Sequence, residues 1–204
     1  MPTSPTLVLF DLDDVLCHYD RSARIACMAL ASGRDPEAVY KAIWESGLEA
    51  RADAGLLSET EYLSEMGERL GCRVTLETWL TARKAAMTPQ HEVLALAKRL
   101  AEHRRVAVLT NNCRLVAEHI CHLCPAVFEI FGQAVYSSAE FGAAKPASQA
   151  FLRCASKLGV APAEVLFVDD LSANVAGAIN AGFLGHHFVS TKALAQALQH
   201  HQLL

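Results

Sequence analysis

Four apolar residues, Leu7-Val8-Leu9-Phe10, run straight into three carboxylates, Asp11, Asp13 and Asp14, and few folds satisfy both halves of that stretch. The apolar run, bounded by turn-prone and acidic residues, reads as a short strand buried on both faces, the kind found inside a parallel sheet. Three carboxylates have no place in that interior. They fall just past the strand's carboxyl end, the edge at which ligands bind in open α/β sheets. Carboxylates crowded there repel one another unless a cation joins them, and Mg²⁺, which takes oxygen ligands, is the natural candidate. An aspartate is also a nucleophile able to form a covalent intermediate, and a second one two residues on is placed to carry a proton for a leaving group or for water.

Further runs end in the same manner. Arg105 to Thr110 reads as a second buried strand, broken by Asn111-Asn112, and Val165 to Val168 as another that ends in Asp169-Asp170. Ala134 to Ser137 and His186 to Val189 are shorter strand candidates. Between them the spacing predicts helices from Pro89 to about His103, Cys113 to Leu123, Lys145-Pro146 to Leu158, Ser172 to Ala181 with a stop at Gly182, and Lys192 to His200. Strands alternating with helices imply an α/β fold with a doubly wound parallel sheet.

From 17 to 87 the pattern is helical throughout, with start signals at Asp35-Pro36-Glu37 and at Ser58 with Glu61 three residues later. Val39, Ile43 and Trp44 line one face, Leu63, Met66 and Leu70 another, and Thr75 to Ala86 forms one more helix. No strand is expected there. The expected organisation is a core of residues 1–16 and 88–204 with residues 17–87 as a small all-helical insertion.

Composition narrows the function classes. With 204 residues, 52% hydrophobic and 20% charged, the chain can bury a sizeable core and leaves no room for long disordered tracts. A net charge of −4 argues against a nucleic-acid partner. No run of about 18 apolar residues suggests a membrane span, and Met1 to Thr6 lacks the basic start of a secretory signal. Seven scattered cysteines fit reduced thiols, so a cytoplasmic location is expected. His119, Cys121, His122 and Cys124 have metal-ligand spacing but no second Cys-x-x-Cys, and read more simply as helix residues. Cys17 and Cys113 follow two strand ends closely, which places them near the pocket and exposes it to thiol reagents.

In a parallel sheet all these strands end at one edge, so Asp11, Asp13, Thr110, Asn111, Asp169 and Asp170 gather there, with Lys145 at the start of an intervening helix. Phosphoryl transfer needs such an inventory: a nucleophile, a cation, and donors that neutralise the phosphoryl oxygens. Phe10-Asp11-Leu12-Asp13-Asp14-Val15-Leu16 resembles the first signature of the haloacid dehalogenase-like (HAD) hydrolases, and Leu109-Thr110-Asn111, Ala144-Lys145-Pro146 and Val168-Asp169-Asp170 resemble the three that follow.

That resemblance implies a Rossmann-like core with a helical cap between the first two signatures, and it supplies roles. Asp11 matches the nucleophile, Asp13 the general acid/base, Thr110 and Asn111 the phosphoryl-binding signature, and Lys145 the lysine that offsets charge. Mg²⁺ would be held by Asp11, the backbone carbonyl of Asp13 and Asp170, with Asp169 in the outer shell and Asn174 in support. Val15 stands where many family phosphatases carry threonine, which bears only on the subgroup. The implied activity is Mg²⁺-dependent hydrolysis of a small phosphomonoester, a sugar phosphate or similar metabolite. A phosphosugar mutase, a 2-haloacid dehalogenase and a non-catalytic interaction module remain as alternatives. Asp13 disfavours the dehalogenase, since halide leaves without a proton. His18, Tyr19, Arg21, Arg24, Arg51 and Lys84 are the cap candidates for selecting substrate, and oligomeric state is left open.

Overall fold

The computed structural model describes residues 5–204; Met1 to Ser4, most of the stretch read for a leader, lie outside the described residues. The strands are β1 (Leu7–Phe10), β2 (Cys17–Tyr19), β3 (Met87–Pro89), β4 (Arg105–Thr110), β5 (Val135–Ser137), β6 (Val165–Asp169) and β7 (Leu184–His187). Five of them form one parallel sheet in the order β5-β4-β1-β6-β7, with β1 at its centre. Leu9 is paired with Ala107 on one side and Phe167 on the other, so every residue of β1 is enclosed.

Alternation along β1 divides the core into two layers. Leu7 and Leu9 face a cluster in which Phe151 meets Phe167 and Phe183 edge to face, at 5.1 and 5.7 Å between ring centroids. Val8 and Phe10 face the other cluster, which continues without a break into the helical residues Val39, Ile43, Tyr62, Met66 and Trp79. Burying apolar surface on both faces of β1 is what lets so short a run be stable, at about 25 cal/mol per Å² removed from water.

Five helices lie between β2 and β3: Arg21–Ser32, Pro36–Tyr40, Leu48–Asp53, Glu59–Leu70 and Leu76–Ala85, with a π-helical turn at Lys41–Glu45. Their starts follow the sequence signals. Asp35 accepts a bond from the Ala38 amide at 2.8 Å, and Ser58 and Glu61 form a reciprocal capping box. The insertion docks on the sheet's edge where Ser138 Oγ donates to the Asp53 carbonyl at 2.6 Å. Gly55 is required at that contact: its φ is +72°, and a Cβ there would stand 2.4 Å from the Ala139 carbonyl oxygen.

Several expectations need correction. The 17–87 stretch is not free of strand, because β2 and β3 pair antiparallel at its two ends and make a ribbon through which the chain leaves and re-enters the core. The helix expected over 113–123 is two short ones, Arg114–Glu118 and Ile120–Leu123, broken at His119, and a further helix, Pro125–Phe131, was not foreseen. The helix expected from Lys145-Pro146 begins at Ser148, leaving Lys145 in the preceding loop. The last strand lies two residues earlier than its apolar content suggests, because Gly185 lets it pack hard against the helix Ser172–Asn180, where a Cβ would meet Val175 at 2.8 Å.

Candidate active site

β1 and β6 are neighbours, so their carboxyl ends deliver Asp11, Asp169 and Asp170 together. One ligand oxygen from each lies within 4.8 Å of the others, the only such grouping of three or more metal-ligating side chains among the described residues. Lys145 joins them. Its Nζ lies 2.8 Å from Asp11 Oδ1 and 2.7 Å from Asp169 Oδ2, fully enclosed. Burial alone would lower its pKa, but Asp11 and Asp169 outweigh that and hold the ammonium charged. Burial pushes the Asp11 carboxyl up to about 8, although Lys145 draws it back down. Burial and then Asp169 raise Asp170 in the same way.

Three carboxylates against one ammonium leave an excess of two negative charges in an enclosed place. A hard divalent cation with oxygen ligands fits that donor set, whereas a proton on Asp11 satisfies it only in part. Asp169 is already spoken for: its oxygens accept from Lys145, from Asn174 Nδ2 at 3.1 Å each, and from the Leu171 amide at 2.8 Å. Asp170 is only half-buried, and its carbonyl accepts from His187 Nε2 at 2.8 Å. Of the β6 pair, Asp170 is therefore the one free to turn to a ligand.

Lys145 reaches this cluster because its loop is fixed twice. Asn111 Nδ2 donates to the Lys145 carbonyl and the Lys145 amide donates to Asn111 Oδ1, both at 2.8 Å. Behind it Gly177 lets a helix approach so closely that a Cβ would stand 2.3 Å from the Pro146 carbonyl oxygen. The Asn111 side chain is thus spent on positioning Lys145. Thr110, buried at the end of β4, accepts from Asn112 Nδ2 at 2.7 Å.

Asp13 points the other way. Asn112 Nδ2 donates to its Oδ2 at 3.0 Å, and Arg83 Nη2 donates to Oδ1 and Oδ2 at 2.8 and 2.7 Å. Arg83 is 1% exposed and stacks on Tyr19 at 4.2 Å. Burial opposes its charge, but Asp13 more than compensates. A cavity of about 330 Å³ lies between the two carboxylates, with Thr110, Asn111, Asn112, Lys145 and Asp170 on the sheet side and Tyr19, Arg21, Trp44, Glu49, Asp53 and Arg83 on the helical side.

Among the helical candidates from the sequence, Tyr19 and Arg21 line the cavity. Arg24 is buried behind it, in an ion pair with Glu49 whose other oxygen accepts from Tyr62 at 2.6 Å. Arg51 pairs with Glu65, His18 with Asp14, and Lys84 is exposed. Arg83 and Asn112 were missed. Arg83 carried a signal, because Trp79, Ala82, Arg83 and Ala86 share one helical face and an arginine on an apolar stripe marks a buried charge. Cys17 and Cys113 do not line the cavity. Cys17 lies 3.1 Å from Cys124, which together with burial raises its thiol pKa, and burial raises that of Cys113. The expected sensitivity to thiol reagents therefore has no support there. Cys124 is turned to Cys17, not to Cys121, which is exposed.

A family profile described as haloacid dehalogenase-like hydrolase matches residues 5–182. N-acylneuraminate-9-phosphatase of Rattus norvegicus is 30% identical over 105 residues, 51% of this chain and 42% of that protein, so the chain spans less than half of that relative's length. Among solved structures, a HAD-like family hydrolase of Porphyromonas gingivalis superposes with a TM-score of 0.79 at 25% identity, covering 97% of this chain and 99% of that one. A HAD family enzyme of Bacteroides thetaiotaomicron, solved with magnesium and inorganic phosphate, shares the fold at a TM-score of 0.75 and 23% identity, over 89% and 93% of the two chains. L-2-haloacid dehalogenase of Xanthobacter autotrophicus shares it at 0.63 and 22%, over 96% and 83%. The matched span contains the ends of β1, β4 and β6 and the loop that carries Lys145, and the chain belongs to the haloacid dehalogenase-like hydrolase family.

Proposed function

We propose that this hydrolase is a Mg²⁺-dependent phosphatase that acts on a small phosphomonoester through an aspartyl-phosphate. The observation that carries the reading is Asp13, a second carboxylate held by Asn112 across the cavity from Asp11 and beside Thr110. An alkoxide leaving group needs a proton and halide does not, so a carboxylate at that place has work in ester hydrolysis and none in dehalogenation.

In this scheme Asp11 attacks phosphorus in line, the P–O bond to the leaving group breaks, and Asp13 supplies the proton that turns the departing alkoxide into an alcohol. Asp13 then takes a proton from the water that attacks the phosphoryl group, releasing phosphate and restoring Asp11. Lys145 and the Thr110 hydroxyl bind phosphoryl oxygens, and Asn111 sets Lys145 in place. Asp11, Asp170 and the Asp13 carbonyl would hold Mg²⁺, with Asp169 behind them fixing Lys145. The cation, when bound, offsets charge developing on the phosphoryl oxygens. Residues 17–87 act as a cap that excludes water from the cavity. The seven free cysteines suit a reducing compartment such as the cytoplasm.

The test is hydrolysis of p-nitrophenyl phosphate by wild type and Asp11→Asn, each with Mg²⁺ and with EDTA. Metal-dependent turnover that falls by at least about a thousandfold in Asp11→Asn is expected, with one inorganic phosphate released per ester cleaved. Phosphate retained on product would make the protein a mutase. No turnover of any phosphate ester would overturn the proposal.

A further inference from the structure

Two of the buried side-chain atoms that have no hydrogen-bond partner belong to residues lining the catalytic cavity: Arg83 Nε, a donor, and Asp53 Oδ1, an acceptor. Buried polar atoms are ordinarily paired, because one left bare has given up its bond to water and gained none in return. Both lie on the helical side, where the part of a substrate beyond its phosphate would rest.

The Arg83 geometry is informative. A guanidinium meets a carboxylate best through two parallel N–H bonds from two nitrogens. Asp13 does not take that form: both of its oxygens accept from the single nitrogen Nη2, and the adjacent Nε, which with Nη2 forms one edge of the fork, is bare. Asp13 is an incomplete partner for a buried cation. Asp53 presents the complementary case. Burial and then Glu49 raise its carboxyl well above the usual range, and its Oδ1 meets no donor.

We infer that this pair recognises the leaving group: Arg83 takes a carboxylate of the substrate across Nε and Nη2, and Asp53 accepts from a hydroxyl or ammonium next to that carboxylate. The inference rests on the phosphatase reading and names its substrate class, phosphate monoesters of small hydroxy or amino acids. A cavity of about 330 Å³ is at the small end of ligand sites, which suits a leaving group of a few carbons. As the substrate carboxylate completes the fork, Asp13 loses its hold on Nη2 and turns to the leaving oxygen. Arg83 thus selects substrate directly and positions Asp13 through its own occupancy.

The experiment compares kcat and KM, with Mg²⁺, for 3-phosphoglycerate (carboxylate and hydroxyl), O-phosphoserine (carboxylate and ammonium), glycerol 3-phosphate (hydroxyl alone) and p-nitrophenyl phosphate. In wild type, kcat/KM for the better of the two acids should exceed that for glycerol 3-phosphate at least tenfold, and the two acids tell hydroxyl from ammonium. Arg83→Gln should erase this ratio, chiefly through KM for the acids, and Arg83→Lys should restore part of it. Because Arg83→Gln releases Asp13 whichever ester is bound, the ratio falls in two readable parts: lost carboxylate binding appears in KM and lost coupling to Asp13 in kcat. Asp53→Asn should shift the preference between the two acids. Turnover of p-nitrophenyl phosphate with no preference for the acids would overturn this inference and leave the phosphatase reading standing. A preference that survives Arg83→Gln would overturn the role of Arg83. No turnover of any ester would overturn both. The wild-type panel decides the substrate class even if a variant fails to fold.

Discussion

The two walls of the cavity are both built from buried charge, yet they are balanced differently. On the sheet side, Asp11, Asp169 and Asp170 share the single cation Lys145 and leave a negative excess. On the helical side, Arg24 answers Glu49 and Arg83 answers Asp13. One wall is incomplete without a divalent ion; the other is close to self-compensated. The first is organised to bind a cation, the second to exchange one ion-pair partner for another.

Removing one cation from each wall separates them most sharply. Lys145→Met leaves two buried carboxylates facing each other, and Arg24→Met leaves Glu49 buried beneath Tyr62. Breaking a buried pair by deleting one partner costs about 3–5 kcal/mol, so both variants should melt well below wild type. Mg²⁺ should then narrow the gap between Lys145→Met and wild type, and raise Arg24→Met only as much as it raises wild type. Equal narrowing of both gaps, followed by thermal unfolding, would mean that the ion does not reside among the strand-end carboxylates.

The same contrast predicts a pH dependence. Asp11 has a folded pKa of about 8, above the ordinary aspartate range near 4. Between those values the folded state binds more protons than the unfolded one, so the slope of stability with pH is negative there. Metal-free protein should lose stability as pH rises from about 4 to about 8. Asp11→Asn should flatten that decline, and so should saturating Mg²⁺, which at a hundred times its Kd adds about 2.7 kcal/mol. The same slope for metal-free wild type, Mg²⁺-saturated wild type and Asp11→Asn would contradict the placement of Asp11.

A smaller effect tests how the lysine is aimed. Gly177→Ala places a methyl against the Pro146 carbonyl oxygen and moves the loop that carries Lys145. Overpacking of this kind costs about 1–3 kcal/mol, and turnover should fall while Arg83-dependent discrimination among substrates is kept. Loss of discrimination without loss of turnover would reverse the assignment of the two walls.

The sheet wall was the legible one. A strand buried on both faces has to be apolar until it ends, so Leu7 to Phe10 and Val165 to Val168 announce where Asp11, Asp169 and Asp170 stand, and parallel pairing brings them together. The helical wall gives no such notice. Whether a charge on a helix is solvated or buried depends on tertiary packing, and Arg51 and Arg24 look alike in sequence although one pairs with Glu65 at the surface and the other lies at 1% exposure beside Tyr62. Loop residues such as Asn112 are set by turn geometry that carries no period. The ribbon of β2 and β3 was equally hidden, since three-residue strands are too short to show alternation.

The smallest expected effect comes from two adjacent residues. Arg83 and Lys84 sit side by side on the helix Leu76–Ala85, and one residue corresponds to a turn of about 100°. Trp79, Ala82 and Ala86 fix the buried face, so Arg83 points inward with them and Lys84 projects to solvent. Lys84→Ala should therefore change stability by no more than about 0.5 kcal/mol and leave kcat and KM unaltered for every ester. Arg83→Lys, which keeps the charge but loses the fork, should raise KM for carboxylate-bearing esters. If instead Lys84→Ala moved KM and Arg83→Lys did not, the helix would be rotated by one position about its axis. The ion pair with Asp13 would then belong to another arrangement of the insertion.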